Sequence, residues 1–146
     1  MSKTYSFLDV TASISGPGGA FSIGAGSGNA EEGITIVPTG PMNGMLIGAD
    51  GEGMHSLYAD RSGKVTVRLL KTSPTNAQLM QMASFQRSSG ALHGQNVLVI
   101  SDTSRNDSIA CRQTAFAKIP DITYAKDGGT VDWEFDVVRI DPNLGV

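Results

Sequence analysis

The chain predicts a mainly β protein: an antiparallel β-sandwich or barrel with one flanking α-helix over residues 74–88. Three observations carry this. Short period-two segments recur along the whole length, separated by clusters of Gly, Pro, Asn and Asp. Only one segment switches to a helical period. The 146 residues contain no internal repeat and no linker, so residues 1–146 read as one domain, large enough for a real core.

Residues 5–15 alternate as a first strand, with Phe7, Asp9, Thr11 and Ser13 against Leu8, Val10, Ala12 and Ile14. Gly16-Pro17-Gly18-Gly19 is a turn signal, and Phe21-Ser22-Ile23 is the short return strand. Residues 24–29 are a glycine-rich loop, and residues 34–38 form the next strand. Residues 38–55 read as a long loop rich in Gly and Pro, with Met45-Leu46-Ile47 as a short strand inside it. Residues 55–58 begin another strand, and residues 60–63 turn the chain. In residues 64–70, Val65, Val67 and Leu69 share one face, and Thr66 and Arg68 share the other.

The period then changes. Ser73 is a good cap, and Pro74 suits the first helical position, where a missing N–H costs nothing. Leu79, Met80 and Ala83 form the face expected against the sheet. Residues 72–86 carry no charge, although the back of a surface helix normally does. That back offers Gln78, Gln81 and Gln86, together with Met82 and Phe85. A second apolar face needs a second partner, either a loop of the same chain or another copy, and Met82 and Phe85 are the candidate inter-subunit residues.

After the helix, residues 96–101 read as a buried strand and residues 102–107 as a polar turn. Residues 108–118 form a strand with Cys111 and Phe116 partly buried; Pro120 and Asp121 interrupt it, and residues 122–124 resume it. Asp127-Gly128-Gly129 signals a hairpin turn before the final strand, residues 130–140. On that strand Val131, Trp133, Phe135 and Val137 share one face, and Asp132, Glu134 and Asp136 share the other, spaced roughly 6–7 Å apart. The plain reading of that row is a solvated strand face. In a ring of identical subunits the same row becomes an acidic ring, which along a channel repels a passing polyanion.

Composition narrows the function. The net charge of -3 gives no general attraction for nucleic acid. Charged residues are 17 %, fewer than soluble domains usually carry, and residues 10–30 and 33–49 contain none. Such neutral stretches suit a subunit covered by its neighbours. The single cysteine excludes an intramolecular disulfide and fits a reducing compartment. The start lacks an apolar signal core and no run is long enough for a membrane helix, so a soluble product of the cytoplasm is expected.

Signatures of small-molecule chemistry are weak. Gly24-Ala25-Gly26-Ser27-Gly28 has the wrong spacing for a dinucleotide loop, precedes a strand, and is followed by Glu31 and Glu32, which repel phosphate. Asp50-Gly51-Glu52-Gly53 lacks the ligand positions of a calcium loop. His55 and His93 have no zinc-type spacing, and no nucleophile elbow occurs. No enzyme activity, metal or cofactor is expected.

Several ordered segments together are more specific: Thr4-Tyr5-Ser6-Phe7-Leu8-Asp9-Val10, Ala30-Glu31-Glu32-Gly33-Ile34-Thr35, Ile47-Gly48-Ala49-Asp50-Gly51-Glu52-Gly53-Met54-His55-Ser56, residues 65–74, His93-Gly94-Gln95-Asn96 and Tyr124-Ala125-Lys126-Asp127-Gly128-Gly129. In this order they resemble the tail tube proteins of contractile-tailed bacteriophages, over nearly the whole chain, with departures in residues 16–28 and 38–45. The resemblance implies a tail-tube-like β-sandwich with a flanking helix, assembled as hexameric rings whose sheets join into an inner barrel. It implies rings stacked into a tube inside a contractile sheath, through which DNA passes without specific binding. The implied partners are further copies of the chain, the tail sheath protein, a baseplate initiator and a tail terminator, with no membrane, catalytic residue or cofactor. The implied location is the tail of a virion assembled in the host cytoplasm. Within that frame the loop residues Met42, Asn43, Met45, Leu46, Ile47 and Asp50 are candidates to reach the next ring, and Asp132, Glu134 and Asp136 are candidates to face the lumen. The alternatives are the tube of a phage-derived injection or secretion device and, from another class, a monomeric ligand-binding β-barrel.

Overall fold

A computed structural model describes residues 4–26 and 28–145, with the side chains of residues 30–32 outside the description. The reading of Glu31 and Glu32 as phosphate-repelling therefore lies outside the described residues, as does Ser27 of the glycine-rich loop.

The chain opens differently from the expected strand. Ser6 accepts the Leu8 N–H and starts a single 3-10 turn, Phe7–Asp9, before β1 (Val10–Gly16) begins. The hydroxyl competes with the ladder for the local N–H, which alternation alone does not reveal. Gly16 and Gly19 then pair across the predicted turn into β2 (Gly19–Ser22). β3 is Asn29–Pro38, with an irregularity between Asn29 and Ile34, and it pairs with β6 (Gly63–Leu70). Residues 38–55 are not an open loop. They hold β4 (Asn43–Ile47), which pairs with β5 (Gly53–Leu57) as a separate two-stranded sheet.

Helix α1 is Thr75–Gln86, within the predicted span. Ala, Leu, Met and Gln dominate it, so its propensity is good. The Thr75 N–H reaches Ser73 Oγ at 3.3 Å, and Ser88 Oγ donates to the Phe85 carbonyl at 2.6 Å near the C-terminal end. The buried stripe is Thr75, Leu79, Met82, Ala83 and Gln86, in steps of three and four. Met82 is therefore a core residue, fully buried, and the placement of Met82 on an outer inter-subunit face is corrected. The stripe escaped notice because it begins and ends on polar residues. Met80, assigned to the core face, is only partly buried.

β7 (Asn96–Asp102), β8 (Asp107–Lys118) and β9 (Thr130–Asn143) complete one seven-stranded sheet, in the order β2-β1-β7-β8-β9-β6-β3. Every pairing in it is antiparallel. Residues 122–124 do not resume a strand; β8 and β9 pair directly but are joined by the irregular segment 119–129. Pro120 ends the ladder there, since it has no N–H to donate. Within β8 the alternation slips: Cys111 and Thr114 are both buried, and Gln113 between them has φ 51. Relative to β7, which advances from Asn96 to Leu98 while β8 runs from Thr114 to Cys111, this is a bulge, and bulges bend the sheet.

The sheet wraps its apolar face around one core, which joins Ile14, Leu98 and Ile100 to Val65, Val67, Trp133 and Phe135, with Leu79 and Met82 from α1. Phe116 packs edge-on to Trp133, with ring centroids 5.9 Å apart, and tilted on Phe135 at 4.9 Å. Trp133 Nε1 donates to Asn76 Oδ1 at 3.0 Å, fixing the start of α1 over β9. Burying each such side chain stabilises the fold by about 1.5–3 kcal/mol.

Candidate assembly surfaces

The β4–β5 hairpin is the first candidate. Its register places Met45 opposite His55 and Leu46 opposite Met54. Tyr58 lies over Gly44, in the space a side chain there would need, and the Tyr58 N–H donates to the Met42 carbonyl at 2.9 Å. The tip is ordered by Gly48 N–H to Glu52 O at 2.7 Å, Gly51 N–H to Gly48 O at 3.0 Å, and Glu52 N–H to Asp50 Oδ1 at 3.1 Å. Asn43 sits with its amide 3.2 Å from His55 Nδ1. The apolar side chains of this well-formed hairpin are nonetheless in solvent: Met42 is 76 % exposed and Met45 63 %, and Leu46 and Ile47 are also exposed. Met54 and Leu57 of the return strand, Tyr58 just after it, and Val37 at the end of β3 are exposed as well. Sequence reasoning named the β4 side and missed the β5 side, because residues 55–58 read only as the beginning of another strand.

Met45 and Ile47 lie on one face of the hairpin and the Leu46–Met54 pair on the other, so apolar side chains are exposed on both faces, and exposed apolar surface on this scale marks a place where another molecule sits. The edges of the main sheet, β2 and β3, add unpaired backbone N–H and C=O groups, which natural proteins cover or pair. Phe85, half-exposed on the outer side of α1, remains a surface residue as expected; it lies against Gly18 of the β1–β2 turn.

The carboxylate row on β9 is in register with cations on β6. Asp132 stands opposite Arg68, Glu134 opposite Thr66 and Asp136 opposite Lys64. Arg68 grips Asp132 with two hydrogen bonds, Nε at 2.6 Å and a terminal nitrogen at 2.9 Å, and Lys64 Nζ lies 3.1 Å from Asp136. Lys118 of β8 is in register with Glu134 on its other side. The row is one half of a charge-balanced face. The partner cations were legible in the alternation of Lys64, Val65, Thr66, Val67 and Arg68, which puts both cations on the outer side of β6.

A second charged cluster was missed. Arg61, Arg112 and Arg139 surround Asp141 at 3.4, 3.8 and 3.1 Å. The hydrogen bond from Arg139, aided by the other two guanidiniums, holds the Asp141 carboxyl below the ordinary carboxylate range. Burial pushes the Cys111 thiol up to about 11, so this cysteine is an inert core group. Among the described residues no group of His, Cys, Asp and Glu has the arrangement of a metal site, and no helix is long and apolar enough to cross a membrane.

Comparison with known proteins places this geometry. The chain is similar to a chain of the extended sheath–tube complex of the extracellular contractile injection system PVC, with TM-score 0.61, 10 % identity, and coverage of 97 % of this chain and 92 % of that one. It is similar to a chain of the PVC sheath/tube terminator, with TM-score 0.60, 11 % identity, and coverage of 97 % and 98 %. It is also similar to a chain of the tube-terminating cap of the anti-feeding prophage, with TM-score 0.57, 10 % identity, and coverage of 99 % and 95 %. At such identities the likeness establishes a shared fold. No curated protein matches the chain. A family model described as Bacteriophage PhiTE tail tube protein matches residues 1–145, and the chain belongs to that tail tube family.

Proposed function

We propose that this tail tube protein assembles into hexameric rings stacked as the inner tube of a contractile tail, through which DNA leaves the particle. The observation that carries the reading is the β4–β5 hairpin: ordered, internally hydrogen-bonded, and apolar on a surface that its own chain leaves uncovered. In this reading Met42, Asn43, Met45, Leu46, Ile47 and Asp50 contact the next ring, and the open edges of β2 and β3 find strands of neighbours within the ring. Phe85 contributes to the contact within the ring. The sheath protein, a baseplate initiator and a tube terminator are the other partners, assembly takes place in the host cytoplasm, and no catalytic residue or cofactor takes part.

The face bearing Asp132, Glu134 and Asp136 lines the lumen in this reading. Two of its carboxylates, Asp136 and Asp132, are paired with Lys64 and Arg68, so the wall neither holds nor strongly repels DNA. That modifies the purely acidic ring expected from the row alone.

The runner-up is the tube of an injection device, favoured by the descriptions of the PVC and anti-feeding prophage structures. The proposed assembly is the same and the cargo differs. A ligand-binding barrel fits poorly, because Trp133, Phe135, Leu79 and Met82 fill the interior. The test replaces Met45, Leu46 and Ile47 together by Ser. The expected result is a folded subunit, native by circular dichroism, that forms no stacked tubes by negative-stain microscopy. Long tubes from this variant contradict the assignment of the hairpin.

A further inference from the structure

A groove of about 380 Å³ runs between the C-terminal end of α1 and the end of β8. Phe116, Ala117 and Ile119 give it an apolar lining, and Arg87, His93 and Lys118 bring nitrogen-bearing side chains to it. No carboxylate among the described residues forms an ion pair with Arg87; Lys118, at the end of β8, lies 3.6 Å from the exposed Asp121 and also borders a recess shared with Asp132 and Glu134. In a chain of net charge -3 this concentration of basic groups beside an apolar recess is a local exception.

The hairpin tip is its counterpart in both charge and shape. Asp50 and Glu52 are exposed at a turn whose other residues, Gly48, Ala49 and Gly51, are small, so the tip is narrow, and one Asp50 carboxylate oxygen accepts the Glu52 N–H within it. Exposed Ile47 and Met54 flank it with apolar surface. The hydrogen bonds of the turn hold its shape before any contact, which lowers the ordering cost of docking. Tip and groove belong to different elements, and two unlike complementary patches on one chain join copies head to tail, giving rings or filaments.

We propose that the hairpin tip of one copy docks in the α1–β8 groove of another, with Asp50 and Glu52 meeting Arg87 and Lys118 and with Ile47 and Met54 against Phe116 and Ile119. The inference rests on the reading of the hairpin as an inter-subunit contact, and names the surface that receives it.

Charge exchange on the full-length chain tests it. One variant carries Asp50→Lys and Glu52→Lys, a second carries Arg87→Glu and Lys118→Glu, and a third carries all four changes. Circular dichroism confirms the fold of each. Sedimentation velocity then gives the concentration at which copies associate. Each two-site reversal raises that concentration by about tenfold or more, and the four-site exchange returns it toward the wild-type value. A carbodiimide, which joins carboxylates to amines in direct contact, links Lys118 of one copy to Asp50 or Glu52 of another in mixed isotope-labelled wild-type protein. Undiminished association of the reversals, or no rescue by the exchange, overturns the docking while leaving the tube reading in place. Loss of association in the groove reversal alone overturns it too, and points to another acidic partner for the groove. A wild-type chain that never associates overturns both readings.

Discussion

Gln86 and Asn96 exchange amide hydrogen bonds inside the protein. Gln86 Nε2 donates to Asn96 Oδ1 at 2.6 Å, and Asn96 Nδ2 donates back to Gln86 Oε1 at 2.9 Å. Gln86 Nε2 also donates to the Pro17 carbonyl at 2.9 Å. The last residue of α1, the first of β7 and the β1–β2 turn are thus tied at one buried point. Gly16 leaves room for it, since a side chain there would collide with that of Asn96.

Replacing either amide by Leu strands the other in a buried site. Gln86→Leu and Asn96→Leu are each expected to cost about 1–3 kcal/mol in urea unfolding, and the double variant less than their sum. Additive losses contradict a reciprocal pair.

Met82 and Phe85 separate stability from assembly. Met82→Ala empties a core site and costs about 2–5 kcal/mol of subunit stability. Phe85→Ser, at a half-exposed site, costs about 1 kcal/mol or less, and its expected effect is weaker association. Thermal melts and sedimentation of the two variants read these effects. The opposite ordering contradicts the assignment of the two faces.

The carboxylate row is testable in the subunit and in the particle. Arg68 and Asp132 are both partly exposed, so a double-mutant cycle with Ala is expected to give a coupling of only about 0.5–1 kcal/mol. Changing Asp132, Glu134 and Asp136 all to Lys sets three new cations beside Lys64, Arg68 and Lys118. It lowers the melting temperature and, in assembled particles, hinders DNA passage. Normal infectivity contradicts a lumenal position.

Cys111 gives a pH signature. Its thiol ordinarily titrates near 9.0 and is raised to about 11 by burial in the folded chain. The unfolded chain therefore loses this proton first as pH rises, so the thiol's contribution is complete below pH 9.0 and falls away toward pH 11. Cys111→Ala flattens the decline over that window, measured by urea midpoints. The native thiol resists a disulfide reagent at neutral pH, and rapid labelling contradicts its burial.

Regular alternation was legible wherever one strand face meets the core. Val65, Val67 and Leu69, and likewise Trp133, Phe135 and Val137, were assigned to their faces from spacing alone and lie inside. Legibility failed where polar residues are buried or apolar residues are exposed. Gln86 is buried because Asn96 satisfies it, and that partner is invisible in the helix's own period. The β4–β5 hairpin has the reverse problem. Its glycines suggested a loop, while its apolar residues do not face this chain's core at all. Residues 122–124 looked like a strand by composition, but they follow Pro120 outside the ladder, where Lys71 donates to the Thr123 carbonyl and lies 4.0 Å from the Tyr124 ring centre.

Cryo-electron microscopy of the concentrated full-length protein tests the central claim most directly. The account predicts hollow rings or tubes in which Met45, Leu46 and Ile47 are buried between copies. A uniform monomer at every concentration, or an assembly that leaves the hairpin in solvent, contradicts it.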